Sequence, residues 1–140
     1  MVRFDPKKHI RHIFEEPDIP LLHSDGTVLS GIVGRPGVGE DACVGMRIGV
    51  DRIVMSPASE FELPTHAGDH ILYVLASRGF IHVDGTDYAM RAGDSIYVPA
   101  NYAHGVKTDP QVPEPLEILA FGVPHMPLSS RQRMTVVGGD

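Results

Sequence analysis

The chain has no tryptophan and a single cysteine, Cys43, among its 140 residues. One thiol excludes any internal disulfide, so stability must come from an apolar core. A lone cysteine fits a reducing cytoplasm, and Cys43 reads as a small buried or half-buried apolar residue. Aromatic residues are few, five Phe and four Tyr, which leaves little to build a stacking platform for single-stranded nucleic acid. Cations are outnumbered: 12 Lys and Arg stand against 18 Asp and Glu, a net charge of −6. The basic residues are scattered, so no basic stripe tracks a phosphate backbone. No apolar run is long enough to span a bilayer. The first eight residues, Met1 to Lys8, carry charge with no apolar stretch behind them, unlike a secretion signal. The expectation is a cytoplasmic domain with neither nucleic acid nor membrane as partner.

What the chain does have is turn chemistry. Gly and Pro number 15 and 12, and 42% of residues are apolar, enough for one core in a domain of this length. Phe4, Ile10 and Phe14 have loose helical spacing, but Pro6 and Pro17 limit any helix there to a short one. Ser24-Asp25-Gly26 precedes a strand at Thr27-Val28-Leu29, and Arg35-Pro36-Gly37-Val38-Gly39 reads as a loop. That loop lacks the Gly-Lys-Ser/Thr ending of a phosphate cradle.

From Val44 the pattern is β. Met46, Ile48 and Val50 alternate with Arg47, Gly49 and Asp51, the period of a half-buried strand. Ile53-Val54-Met55 continues the signal. Ile71 to Leu75, Phe80 to Val83, Tyr88 to Met90, Ser95 to Val98 and Leu116 to Val123 read as further strands, with turns at Ser77-Arg78-Gly79, Asp84-Gly85 and Gly93-Asp94. Asp-Gly between apolar flanks is a strong hairpin signal. Many short strands at regular spacing, uninterrupted by long helices, predict an all-β sandwich or barrel. The reading is one domain over 1–140: an irregular N-terminal extension (1–43), a barrel (about 44–123) and a polar tail (124–140). Met46, Ile48, Tyr73, Val74, Met90, Tyr97 and Phe121 are the candidate barrel-lining residues. Arg47 and Arg52 could face either way.

Three of the eight histidines fall where a barrel could gather them. His66 and His70 precede the Ile71 strand, and His104 follows the Ser95–Val98 strand. Inward residues of neighbouring strands converge on one interior region, and three neutral imidazoles suit Zn, Fe, Ni, Cu or Mn with coordination positions left open. The i, i+4 spacing of His66 and His70 also occurs in helical zinc proteases. That site needs Glu after the first His, where Ala67 stands, and Pro64 and Gly68 oppose a helix. His82, mid-strand, would join the site if it faces inward and would be solvated if outward. Alternation does not decide, because Phe80 and Ile81 are both apolar. His9, His12, His23 and His125 are expected at the surface.

The stretch from Pro64 to Thr108 resembles the two sequence motifs of the cupin superfamily, in their usual order. The first commonly reads His-x-His, three or four residues, Glu, then an apolar strand ending in Gly. Here it reads Pro64-Thr65-His66-Ala67-Gly68-Asp69-His70, then Ile71 to Gly79. His66 matches the second histidine, His70 stands at the glutamate position, and Pro64 at the first-histidine position has no ligating atom. The second motif matches from Gly93 through Pro99 to His104, with Asn101 in place of a glycine. Asn tolerates the left-handed backbone that glycine supplies in turns.

The resemblance implies a double-stranded β-helix, or jelly-roll, barrel with a divalent metal on His66, His70 and His104. It further implies a metal-dependent enzyme on a small molecule, dioxygenase-like first, with isomerase, lyase or cyclase behind. The alternative, to which Pro64 lends weight, is a non-catalytic small-molecule-binding or sensor cupin without metal. A homodimer is expected, because edge strands need cover.

Overall fold

The computed structural model describes residues 3–23, 25–39, 42–43, 47–63, 69–100 and 102–125. Among these residues the one helix is α1 (Pro6–His9), and the strands are β1 (Ile19–Leu22), β2 (Val28–Pro36), β3 (Gly49–Met55), β4 (Glu60–Leu63), β5 (Asp69–Ala76), β6 (Arg78–Val83), β7 (Thr86–Arg91), β8 (Ser95–Val98), β9 (His104–Thr108) and β10 (Leu116–Val123). The helix is as short as its prolines require. Asp5 caps it, accepting from the Lys7 amide, and Pro6 opens it, where a missing N–H costs nothing.

Two antiparallel sheets form. The larger has the order β1-β2-β3-β10-β5-β8 and the smaller β4-β9-β6-β7. Chain neighbours are mostly not sheet neighbours, as in a jelly roll. Central β10 pairs with β3 through seven residues, Leu116 with Met55 to Gly122 with Gly49, and with β5 from Glu117 to Val123. The β6–β7 hairpin closes at Asp84-Gly85, both residues in the left-handed region (φ 49° and 86°). That is the backbone a two-residue primed turn demands, and it explains the Asp-Gly pair.

Alternation sends one face of each strand to the core. Ile53 and Met55 of β3, Leu72 and Val74 of β5, Ile81 of β6, Met90 of β7, Val98 of β8, Val106 of β9 and Leu116 and Ile118 of β10 are buried together. The all-β jelly roll is thus present, and Val74 and Met90 line it as expected. Ile48, Tyr73, Tyr97 and Phe121 do not. All four are exposed, and Phe121, Ile71 and Tyr97 form a row on the outer face of the larger sheet. Met46 lies outside the described residues.

The phase of β3 is the instructive error. Its buried positions are Gly49, Asp51, Ile53 and Met55, with Val50, Arg52 and Val54 half-buried on the other face. The apolar Ile48 and Val50 suggest the opposite phase, but Ile53 and Met55 outweigh them because burying two large aliphatics gains about 1.5–3 kcal/mol each. Arg52 therefore lies on the outer side, paired with Glu117 and stacked 4.6 Å from the Phe14 ring centre.

Three strands escape the sequence reading. β1 holds Pro20, tolerated because β1 is an edge. β4 is only four residues, and β9 holds His, Gly and Lys around Val106. The strand read at Thr27–Leu29 runs on to Pro36, so Arg35 and Pro36 belong to β2 and not to a loop.

Gly79 of β6 is where the smaller sheet is tightest. A Cβ there would lie 2.4 Å from the Lys107 carbonyl oxygen and 2.9 Å from a Leu116 methyl. Gly79→Ala is expected to destabilise by about 1–3 kcal/mol, the usual cost of overpacking. Urea unfolding measures it; an unchanged midpoint would mean that β6 and β9 part more easily than this register implies.

Candidate functional site

His70 is the second residue of β5 and shares its inward face with Leu72 and Val74. Its strand neighbours are Val98 of β8 and Gly122 of β10. His104 opens β9 between Leu63 of β4 and Val83 of β6, on the inward face with Val106, and it is 3% exposed. The two imidazoles come from opposite sheets and meet edge to face, ring centres 5.3 Å apart at 90°. Residues 34 positions apart in the chain thus converge at one end of the barrel. His66, Pro64 and Asn101 lie outside the described residues. Among the described residues, no group of three or more His, Cys, Asp or Glu is arranged to hold a metal ion.

Two polar contacts set the pair. His104 Nδ1 lies 3.2 Å from the Tyr102 carbonyl oxygen. A carbonyl only accepts, so Nδ1 carries the proton and Nε2 is the lone-pair nitrogen of the neutral ring. This is the tautomer selection that commonly orients ligating histidines. Asp69, at the start of β5, accepts from the Ala100 amide at 2.7 Å and so ties the His70 strand to the loop leading into His104.

His82 faces outward. On the outer face of the smaller sheet its Nδ1 lies 2.5 Å from Asp87 Oδ1, and Lys107 Nζ stands 3.3 Å from the other oxygen of Asp87. The His82 hydrogen bond holds the Asp87 carboxyl below its ordinary value; burial opposes it, and Lys107 adds smaller help in the same direction as His82. The carboxylate form is thus favoured by folding, a preference present above the ordinary pKa and lost as pH falls through the lowered one. In a His82→Ala variant the Asp87 titration followed by NMR is expected to move back up. A midpoint that stays put would assign the effect to Lys107.

Sequence reasoning missed a second polar cluster. His125 is buried, not at the surface: it is 8% exposed, and Asp51 beside it is 1% exposed. His125 Nε2 stands 2.7 Å from Asp51 Oδ2, and the His125 amide donates to the Arg47 carbonyl at 2.8 Å. After β10 the chain folds back over its own sheet. A Cβ on Gly49 would sit 2.8 Å from the His125 ring, and one on Gly122 would sit 3.1 Å from the His125 Cα. The missing side chains of these two glycines make the room for His125. The available signal was a polar residue, Asp51, in step with Ile53 and Met55 along β3. Asp51→Ala would leave the His125 N–H without its buried acceptor, and a loss of about 1–3 kcal/mol is expected in denaturant unfolding. Equal stability would show that His125 swings out to solvent at no cost.

His9, His12 and His23 have no share in the site. His9 accepts from the Asp5 amide at 2.8 Å and stacks on Phe4. Surface clefts of about 370 and 480 Å³ lie at the other end of the barrel, around Arg78 and Arg91. Arg78 is already paired with Asp109 at 3.0 Å, and no imidazole lines either cleft.

A two-sheet antiparallel jelly roll with paired histidines at one end defines a class of small β-barrel domains. Residues 52–121 match the cupin domain family model, and the chain belongs to that family. It is 24% identical over 106 residues, 75% of this chain and 79% of the other, to an uncharacterized protein of Methanocaldococcus jannaschii. Among solved structures it is similar to a predicted oxalate decarboxylase of Thermotoga maritima, with TM-score 0.69 and 18% identity over 81% of this chain and 97% of that one. It is likewise similar to the polyketide cyclase RemF of Streptomyces resistomycificus, with TM-score 0.67 and 16% identity over 84% and 80%. The ectoine synthase of P. lautus gives 0.66 and 13% over 86% and 80%. Identities this low establish a shared fold and leave the reaction open. No helix among the described residues is long and apolar enough to cross a membrane.

Proposed function

We propose that this cupin binds a divalent metal through His66, His70 and His104 and acts as a metal-dependent enzyme on a small oxygen-bearing molecule. The observation that carries the reading is the meeting of His70 and His104 across the barrel, 5.3 Å between ring centres. Two sheets deliver one imidazole each to the same interior point, and the Tyr102 carbonyl selects the ligating tautomer of His104. A neutral nitrogen donor set of this kind suits Fe, Mn, Ni, Cu or Zn. Such an ion supplies Lewis acidity toward a coordinated oxygen. The chain's own residues present the lone pairs, fix the ring orientations and keep this end of the barrel lined with apolar neighbours, Leu72, Val83 and Val98 among them. Dioxygenase chemistry is the first choice, with isomerase, lyase and cyclase chemistry behind it. The setting we propose is a cytoplasmic homodimer.

Pro64, which has no ligating atom, favours a second reading: a non-catalytic barrel that binds a small molecule without metal. Elemental analysis of tag-free protein purified without added metal, beside His104→Ala, separates the two. The parent is expected to retain close to one divalent ion per chain, and the variant to lose it. No metal in the parent, even after reconstitution, sinks the metalloenzyme and leaves the ligand-binding barrel.

A further inference from the structure

The row of inward positions at the His70 end of the larger sheet runs His70 on β5, Gly122 on β10 and Gly49 on β3. Two strand spacings, about 10 Å, separate the first backbone from the last. Two of the three positions carry no side chain, and both are covered by His125. Its Cα lies over Gly122 and its ring over Gly49. The inward face at this end therefore presents two imidazoles along one row, His70 from β5 and His125 from the returning chain, with His104 opposite from β9.

We propose that His125, held by Asp51, is the second polar wall of the ligand site, and that it accepts from a hydroxyl group of a small molecule whose other end meets His70 and His104. The proposal deepens the function argued above and rests on that end of the barrel being the ligand site. Asp51 is the positioning residue. Its carboxylate can only accept, so His125 Nε2 donates to it, and the imidazole presents its other edge, with Nδ1, away from Asp51. The buried pair is an unusual feature for a sheet interior, where a polar group is costly unless fully hydrogen-bonded. Leu or Val at 51 and any small inward residue at 49 would fill the same space without that demand. A purely structural closure of the β10 end would need no imidazole.

The test uses the full chain with nitrogen-labelled histidine and the bidentate oxygen ligand acetohydroxamate, titrated with and without zinc. The NMR signals of the ring nitrogens of His70, His104 and His125 are expected to move together as the probe is added, while those of His82 on the outer face stay fixed. The probe's dissociation constant is expected to rise about ten-fold in His125→Gln, as for loss of one strong hydrogen bond, and by less in Asp51→Asn, with zinc stoichiometry unchanged in both. Movement of His70 and His104 with His125 unmoved overturns the proposal, and so does an unaltered dissociation constant in a folded His125→Gln. If that variant fails to fold, the parent titration decides alone. If zinc leaves His70 and His104 unmoved but the probe shifts His125, the second wall stands and the metal reading falls. Silence from all three rings overturns both.

Discussion

The larger sheet is organised by β10, which pairs with β3 on one side, Leu116 to Gly122, and with β5 on the other, Glu117 to Val123. A strand held on both sides cannot slip by one residue without turning every partner inside out. Its register therefore fixes which side chains of three strands face the interior. That one constraint puts His70 in line with Gly122 and Gly49, sends Tyr73 and Phe121 outward, and carries Asp51 into the core. The smaller sheet is set in the same way through β6, which takes β7 by a tight Asp-Gly turn and β9 at the close approach over Gly79. The meeting of His70 and His104 is where these two registers come together.

Much of this was legible from the residues. Turn pairs such as Asp84-Gly85 state their backbone requirement outright, and apolar runs such as Ile71 to Leu75 and Leu116 to Val123 mark the central strands. The second motif runs from the turn before β8 to the first residue of β9, His104. Phase within a strand was harder to read. In β3 and β5 both faces carry apolar or aromatic residues, so composition does not say which side is inside; packing against the second sheet decides. His82 shows the same ambiguity, resolved by Asp87 on the outer face and by nothing in the neighbouring sequence.

The Asp51–His125 pair was beyond sequence reasoning for a different reason. Its members are 74 residues apart and follow no shared period. A buried aspartate reads as a surface aspartate until its partner is known, and a histidine beyond the last strand reads as tail. What joins them is a reversal of the chain over two glycines, a feature of three-dimensional vacancy that only the pairing of β3 with β10 reveals.

That reversal gives the domain an unusual dependence on the residues just past its final strand. In a barrel whose interior is furnished wholly by its strands, chain beyond the last one can be trimmed or fused without entering the lumen. Here the sixth position after Leu119 is interior furniture. Shortening the chain before His125, or attaching a bulky partner immediately after it, would empty the space over Gly49 and Gly122 and strand a carboxylate in the core, so any joint with another module is best made farther along the tail.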